Sequence, residues 1–165
     1  MGTGKSAVGQ KLATRLGRQF IDTDVLIEKE AGMSISRLFA EKGEPYFREL
    51  EQQVIARVSQ EDGVVIATGG GAIVKEVNAE QLKASGVVIC LTATPEVILA
   101  RVQGDNTRPL LLADNALERI HTLLAARAEA YGRAHVTIDT SRRSVDEVVE
   151  EVQKIMEGEM IRRRS

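Results

Sequence analysis

The chain has no tryptophan, two tyrosines and three phenylalanines. So few flat rings leave little on which successive bases could stack, which argues against a binder of single-stranded nucleic acid. Net charge is also missing: 22 Lys and Arg against 24 Asp and Glu leave a formal −2. No global field therefore draws in nucleic acid or an acidic membrane. A single cysteine, Cys90, excludes an internal disulfide. Its place in the apolar run Gly86-Val87-Val88-Ile89-Cys90-Leu91 reads as a small core residue rather than a reactive thiol. No apolar run approaches the ~20 residues that cross a bilayer, and no secretory leader is recognisable. The expectation is a cytoplasmic protein without nucleic-acid or membrane partners, and a monomer.

What is there is an ordinary globular composition, 43% hydrophobic and 28% charged over 165 residues. That length suits one domain, residues 1–165, with a sizeable core. Apolar positions recur at helical spacing over Lys5–Leu16, Val25–Ala31, Pro45–Val58, Pro95–Val102, Ala116–Tyr131 and Val145–Met156. Shorter helices are expected from Ser34, as a cap, through Phe39, and near Asn78–Ala84. Between them lie short apolar runs, Gln19–Asp22, Val64–Ala67, Val87–Leu91 and Val136–Asp139. Strands that are continuously apolar and alternate with helices indicate a parallel sheet covered on both faces, an α/β fold. Residues 103–115 are polar, with Gly104, Asp105, Asn106 and Pro109, and read as a mobile segment. The end, 157–165, reads as a solvated, disordered tail.

The chemistry begins at the front. Met1-Gly2-Thr3-Gly4-Lys5-Ser6 is the back half of G-x-x-x-x-G-K-[ST], the loop whose backbone N–H groups curl round a nucleotide phosphate at a helix N-terminus. In that role Lys5 reaches the β- and γ-oxygens, and the Ser6 hydroxyl ligates Mg²⁺. In an open parallel sheet, ligands sit at the carboxyl ends of the strands. After Gln19–Ile21 come Asp22 and Asp24: one carboxylate could serve the metal and one the hydroxyl to be phosphorylated, or one could simply cap the next helix. After Val64–Ala67 comes Thr68-Gly69-Gly70-Gly71. Three glycines there require either close approach to the backbone or positive φ, and a ligand wall is the better explanation. Arg48 and Arg127 lie on helices, where arginines are usually solvated or ion-paired. Arg108-Pro109-Leu110-Leu111 looks like a flap that lays a guanidinium over transferring phosphate. His121 and His135 have no metal-ligand spacing and are read as structural.

GTGKS, FIDTD, EPYFRELE, TGGGA, NTRPLL and RAEAY, in this order and spacing, resemble the shikimate kinase family. The resemblance implies the fold of the nucleoside monophosphate kinases, a five-stranded parallel sheet with a lid over about 103–115. It implies transfer of the ATP γ-phosphoryl to the 3-hydroxyl of shikimate, on the route to chorismate and the aromatic amino acids. ATP and shikimate would be the ligands, with Mg²⁺. Gly2, Thr3, Gly4, Lys5, Ser6 and Ala7 would hold phosphate, with Ser6 on the metal and Asp22 in its outer shell. Asp24 would orient the nucleophile. Arg48 and Arg127 would grip the carboxylate against Gly69, Gly70 and Gly71. Arg108 would come from the lid, and Arg101 and Arg143 match positions near the adenine. Lys5, Asp24 and Arg108 would carry the catalysis.

Relatives of this kind place a buried, central strand and a glycine just before the position of Met1. The expectation is an amino-terminally shortened form, with no strand ahead of the loop and a cavity beside Val64–Ala67. Each buried unsatisfied backbone group costs ~1–3 kcal/mol, against a total stability of ~5–15 kcal/mol. Equal stability and activity of this form and one extended by a strand would refute that account. Two rivals are a gluconate-kinase-like sugar acid kinase and a nucleotide-binding module that has lost catalysis.

Overall fold

Two glycines bracket the first helix. Gly4 stands ahead of it at φ 88° and Gly17 closes it at φ 61°, the left-handed backbone that suits a residue without Cβ. The computed structural model describes residues 2–103 and 115–164. In chain order these form α1 (Lys5–Leu16), β1 (Gln19–Asp22), α2 (Thr23–Ala31), α3 (Ile35–Lys42), α4 (Glu44–Val58) and β2 (Val64–Ala67). A 3₁₀ turn (Ala72–Val74) follows, then α5 (Glu76–Ser85), β3 (Ile89–Thr92), α6 (Pro95–Val102), α7 (Ala116–Tyr131), β4 (Val136–Asp139) and α8 (Val145–Arg164).

The strands pair in parallel, as their unbroken apolar character predicts. Gln19–Asp22 aligns with Val64–Ala67, and Ile89–Thr92 with Val136–Asp139. The four described strands make two separate pairs rather than one continuous sheet. Between the pairs lies a cavity of about 410 Å³, walled by β2 on one side and β3 on the other, with Val8 and Leu12 of α1 against it. Among the described residues no strand precedes α1.

Alternate residues of β2 enter opposite cores, as the pleat requires. Val65 packs with Val8, Leu12, Val148, Val149 and Val152 under α1 and α8. Ile66 packs with Ile27, Leu38, Phe47 and Val54 under α2, α3 and α4. Both faces are therefore covered by helices, and the ends of the strands are left for ligands.

Several boundaries differ from those expected. Helix α2 starts at Thr23 because Asp22 caps it. Helix α3 runs on to Lys42, where Gly43 at φ 83° ends it. Strand β3 starts at Ile89 rather than Val87, since Val88 N–H donates to Nδ1 of His135 at 2.9 Å and so is used outside the strand. Helix α8 runs to Arg164, past the Met156 expected. Its Val148 and Val149 are anchored in the core, and the residues beyond continue the same helix. The proposed lid lies almost wholly at 104–114, outside the described residues, and Arg108 and Pro109 with it.

Candidate active site

The phosphate loop is built on two glycines and one threonine, and a second threonine braces it from outside. Gly2 (φ 64°) and Gly4 (φ 88°) give the loop its left-handed turns, and the buried Thr3 lies between them. The end of β4 braces it: the Thr140 hydroxyl is 3.2 Å from Thr3 O and 3.0 Å from Thr92 O. Arg101 joins this brace, donating to Thr140 Oγ1 (2.9 Å), Thr140 O (2.7 Å) and Gly2 O (3.3 Å). Arg143 lies on the adjoining turn, its N–H bonded to Thr140 O, with its side chain ion-paired to Glu151. The positions expected near the adenine thus meet at Thr140, and Arg101 also reaches the loop at Gly2 O.

Beside the loop, Asp22 serves two purposes. Its Oδ1 accepts from the N–H groups of Asp24 (3.0 Å) and Val25 (3.5 Å), capping α2. Its Oδ2 accepts from the Ser6 hydroxyl at 2.7 Å. The capping question is thereby answered in favour of Asp22, which leaves Asp24 one residue inside the helix. Ser6 Oγ and Asp22 Oδ2 form a compact pair of hard oxygen donors at a helix N-terminus. That donor set fits a hard divalent cation which keeps most of its shell for water and phosphate. Among the described residues no group of three or more His, Cys, Asp or Glu could hold a metal. A cation here would therefore depend on the nucleotide for most of its ligands.

The glycine wall is where the remaining residues converge. An alanine Cβ at Gly69 would stand 2.8 Å from Asp24 Oδ1 and 3.1 Å from Glu51 Oε1. One at Gly71 would stand 2.8 Å from both terminal nitrogens of Arg48. Neither glycine has positive φ, so close approach by charged side chains explains them. Arg127 lines the same cavity as Lys5, Gly69 and Gly70, and it acts electrostatically on Glu51. Asp24 of α2 and Arg48 of α4 therefore stand against Gly69 and Gly71 at the carboxyl end of β2, and Arg127 of α7 lines the cavity that Gly69 and Gly70 border.

A family model described as shikimate kinase matches residues 1–157. The chain belongs to the shikimate kinase family. It is thus an enzyme, an ATP-dependent phosphotransferase with an alcohol acceptor. The shikimate kinase of Thermoanaerobacter pseudethanolicus is 47% identical over 93% of this chain and 90% of its own. That of Geobacter sulfurreducens is 48% identical over 92% of this chain and 84% of its own. Among solved structures, shikimate kinase from Acinetobacter baumannii in complex with shikimate superposes with a TM-score of 0.91 at 36% identity, covering 96% of this chain and 89% of that one. The Aquifex aeolicus shikimate kinase gives 0.84 at 35% identity, over 97% of this chain and 94% of that one.

Glu51 was missed in the sequence reading. Its side chain is 1% exposed, and Oε2 accepts from Arg48 Nη1 at 2.8 Å. Its Oε1 is buried with no hydrogen-bond partner. Burial pushes the Glu51 carboxyl above its ordinary value and the nearby Asp24 adds to this, while Arg48 and Arg127 pull the other way. Burial also disfavours charge on Arg48, but the Glu51 and Glu44 carboxylates outweigh it and hold the guanidinium above its usual range. The signal was present in the sequence: Glu51 falls in the stripe of Phe47, Val54, Ile55 and Val58 that α4 buries. A carboxylate on an apolar face needs a reason.

Cys90 behaves as its surroundings predict. Burial pushes its half-buried thiol upward, against the opposing pull of Lys5, so it stays protonated. No described helix is long and apolar enough to cross a membrane.

Proposed function

We propose that the chain transfers the γ-phosphoryl group of ATP to the 3-hydroxyl of shikimate. The observation that carries this reading is the seating of Asp24 and Arg48 against Gly69 and Gly71, with Arg127 and Lys5 lining the cavity that Gly69 and Gly70 border. Two guanidinium forks can hold a ring carboxylate in a fixed plane, which a pair of ammonium groups could not. That leaves the opposite side of the ring facing the phosphate loop. Asp24 is the carboxylate placed to accept a hydrogen bond from the acceptor hydroxyl and turn its lone pair toward phosphorus. Phosphoryl transfer asks little covalent chemistry of the protein, so alignment and charge supply most of the rate.

On the nucleotide side, the backbone N–H groups of Gly4 to Ala7 and the Lys5 ammonium bind the β- and γ-phosphates. Ser6 Oγ, with Asp22 behind it, would hold Mg²⁺, which would supply charge neutralisation to the phosphates. Arg108, in the segment outside the described residues, is proposed as the cation that covers the transferring group. Arg101 supports the loop from below, through Gly2 O and Thr140. The family assignment does not favour the sugar acid kinase or the catalytically silent module.

Coupled measurement of ADP release, with shikimate or gluconate as acceptor, tests the reading. Shikimate-dependent turnover with none for gluconate is the expected result. Turnover with gluconate alone, or binding of both ligands without any turnover, would overturn it.

A further inference from the structure

The carboxylate clamp draws its two arginines from different helices, Arg48 from α4 and Arg127 from α7. Nothing in either helix alone sets the distance between them. The glycine wall lies between, and the side chain that ties it to α7 at the glycines is Tyr131. Its hydroxyl donates to Gly70 O at 2.9 Å. Further along, Arg133 reaches Val74 O at 3.2 Å, bracing the 3₁₀ turn rather than the glycines.

Three features make the Tyr131 bond more than a surface contact. First, Tyr131 follows Arg127 by one helical turn, so both side chains leave the same face of α7. Second, the neighbouring carbonyls of the wall are used locally: Gly69 O accepts from Ala72 N–H and Gly71 O from Val74 N–H, both at 3.1 Å. Gly70 O is the carbonyl in between that is held from another element. Third, a trans peptide sets C=O and N–H on opposite sides, and the described residues include no cis bond. Tying Gly70 O to α7 therefore turns Gly71 N–H away from α7. Gly71 is the residue against which the Arg48 guanidinium rests.

We propose that Tyr131 is a positioning residue of the acceptor site, whose hydroxyl gauges the spacing between the Arg127 and Arg48 guanidinium groups by anchoring Gly70. The role rests on reading those arginines as the carboxylate clamp. On this proposal Tyr131, which lines the same cavity as Arg127, acts through the wall rather than on the reacting atoms. Glycines have no side chain to resist a slide of the turn, so the wall needs an external stop.

Tyr131→Phe removes the oxygen and keeps the ring, so packing at the end of α7 is conserved. Steady-state kinetics on the full chain should show KM for shikimate raised about tenfold, KM for ATP within twofold and kcat within threefold. A merely structural role would move both KM values together, or move Tm and neither of them. The second measurement is equilibrium binding of shikimate in an Arg127→Ala background. With one arm of the clamp gone, spacing no longer matters, so adding Tyr131→Phe should change the affinity less than twofold. An unaltered KM for shikimate in the single variant overturns the proposal while leaving the proposed function intact. A full tenfold effect persisting without Arg127 also overturns it. A wild-type chain that binds ATP but not shikimate sinks the proposed function and this inference with it.

Discussion

Gly71→Ala is the sharpest probe of the clamp, because the backbone there makes no demand for glycine. Gly71 has φ −98° and ψ −6°, a conformation any residue adopts. The added methyl would instead lie 2.8 Å from Nη1 and Nη2 of Arg48 and 3.1 Å from its Cζ. Ordinary contact begins near 3.5 Å, so the guanidinium must withdraw by roughly 0.7 Å. It is the far end of a flexible side chain and can do so. Withdrawal strains the 2.8 Å bond to Glu51 and the bonds to Glu44 at 3.0 and 3.1 Å. It also displaces the fork from an acceptor carboxylate. A charged hydrogen bond contributes ~1.5–3 kcal/mol, so shikimate affinity should fall by about 10- to 100-fold. ATP affinity should hold within twofold, because the phosphate loop is built from other elements. Titration calorimetry with each ligand, beside a thermal melt confirming the fold, gives the answer. Unchanged shikimate affinity in a folded Gly71→Ala protein would refute the placement of Arg48 in the clamp.

Other perturbations separate the remaining parts of the site. Arg127→Lys keeps the charge and loses the fork, so shikimate binding should weaken about tenfold with ATP binding unaffected; equal losses for both ligands would count against the clamp. Asp22→Asn retains an oxygen to cap α2, so Tm should move by no more than a few degrees. The divalent metal needed for half-maximal rate should rise about tenfold, and an unchanged metal requirement would remove Asp22 from the metal's surroundings. Glu51 provides a pH test: its folded carboxyl titrates above the ordinary 4.5. Its contribution to stability is thus full below that value and is lost as pH rises through the raised one. Subtracting the Tm–pH curve of Glu51→Gln from that of the wild type should expose this falling component, and parallel curves would show that Glu51 is not the source.

Much of this was legible in the sequence, for reasons that are local. The apolar stripe of Pro45–Val58 can only be a helix with one buried face, and α4 occupies Glu44–Val58. Glycines after Leu16 and Ala31 stop helices because they alone enter the left-handed region cheaply. Lys5 and Ser6 were expected at fixed offsets within the loop and Asp22 at the end of the first strand, and the structure brings Ser6 and Asp22 together. What was not legible depends on partners distant in the chain. Tyr131 gains its meaning from Gly70, and nothing near RAEAY announces that bond. The 3₁₀ turn Ala72–Val74 is held by buried Asn78, whose amide donates to Ala72 O at 3.0 Å, again a contact without a local signature. Arg101 donates to Gly2 O of the phosphate loop and to Thr140, contacts distant in the chain that no local signal announces.

The triple glycine shows how a backbone can serve as a charged surface without bearing charge. In the sequence its two explanations, positive φ and close approach, could not be separated. The dihedrals exclude the first for Gly69 and Gly71, and the neighbours supply the second: an acidic pair at Gly69 and a guanidinium at Gly71. Opposite charges are thus brought to the two ends of one turn, with a hydroxyl holding the middle. A Cβ at either end would push the charges outward, into the space an acceptor must fill. Gly69 faces the harder constraint. Its neighbours are Asp24 Oδ1 and the buried Glu51 Oε1, and Glu51 is packed in the α4 core with little room to retreat. Overpacking of that kind costs ~1–3 kcal/mol in stability, whereas the mobile Arg48 lets Gly71→Ala fold. The same substitution two residues apart should therefore lower Tm at Gly69 and lower acceptor affinity at Gly71. That division follows only if the wall lies between a rigid carboxylate and a movable cation.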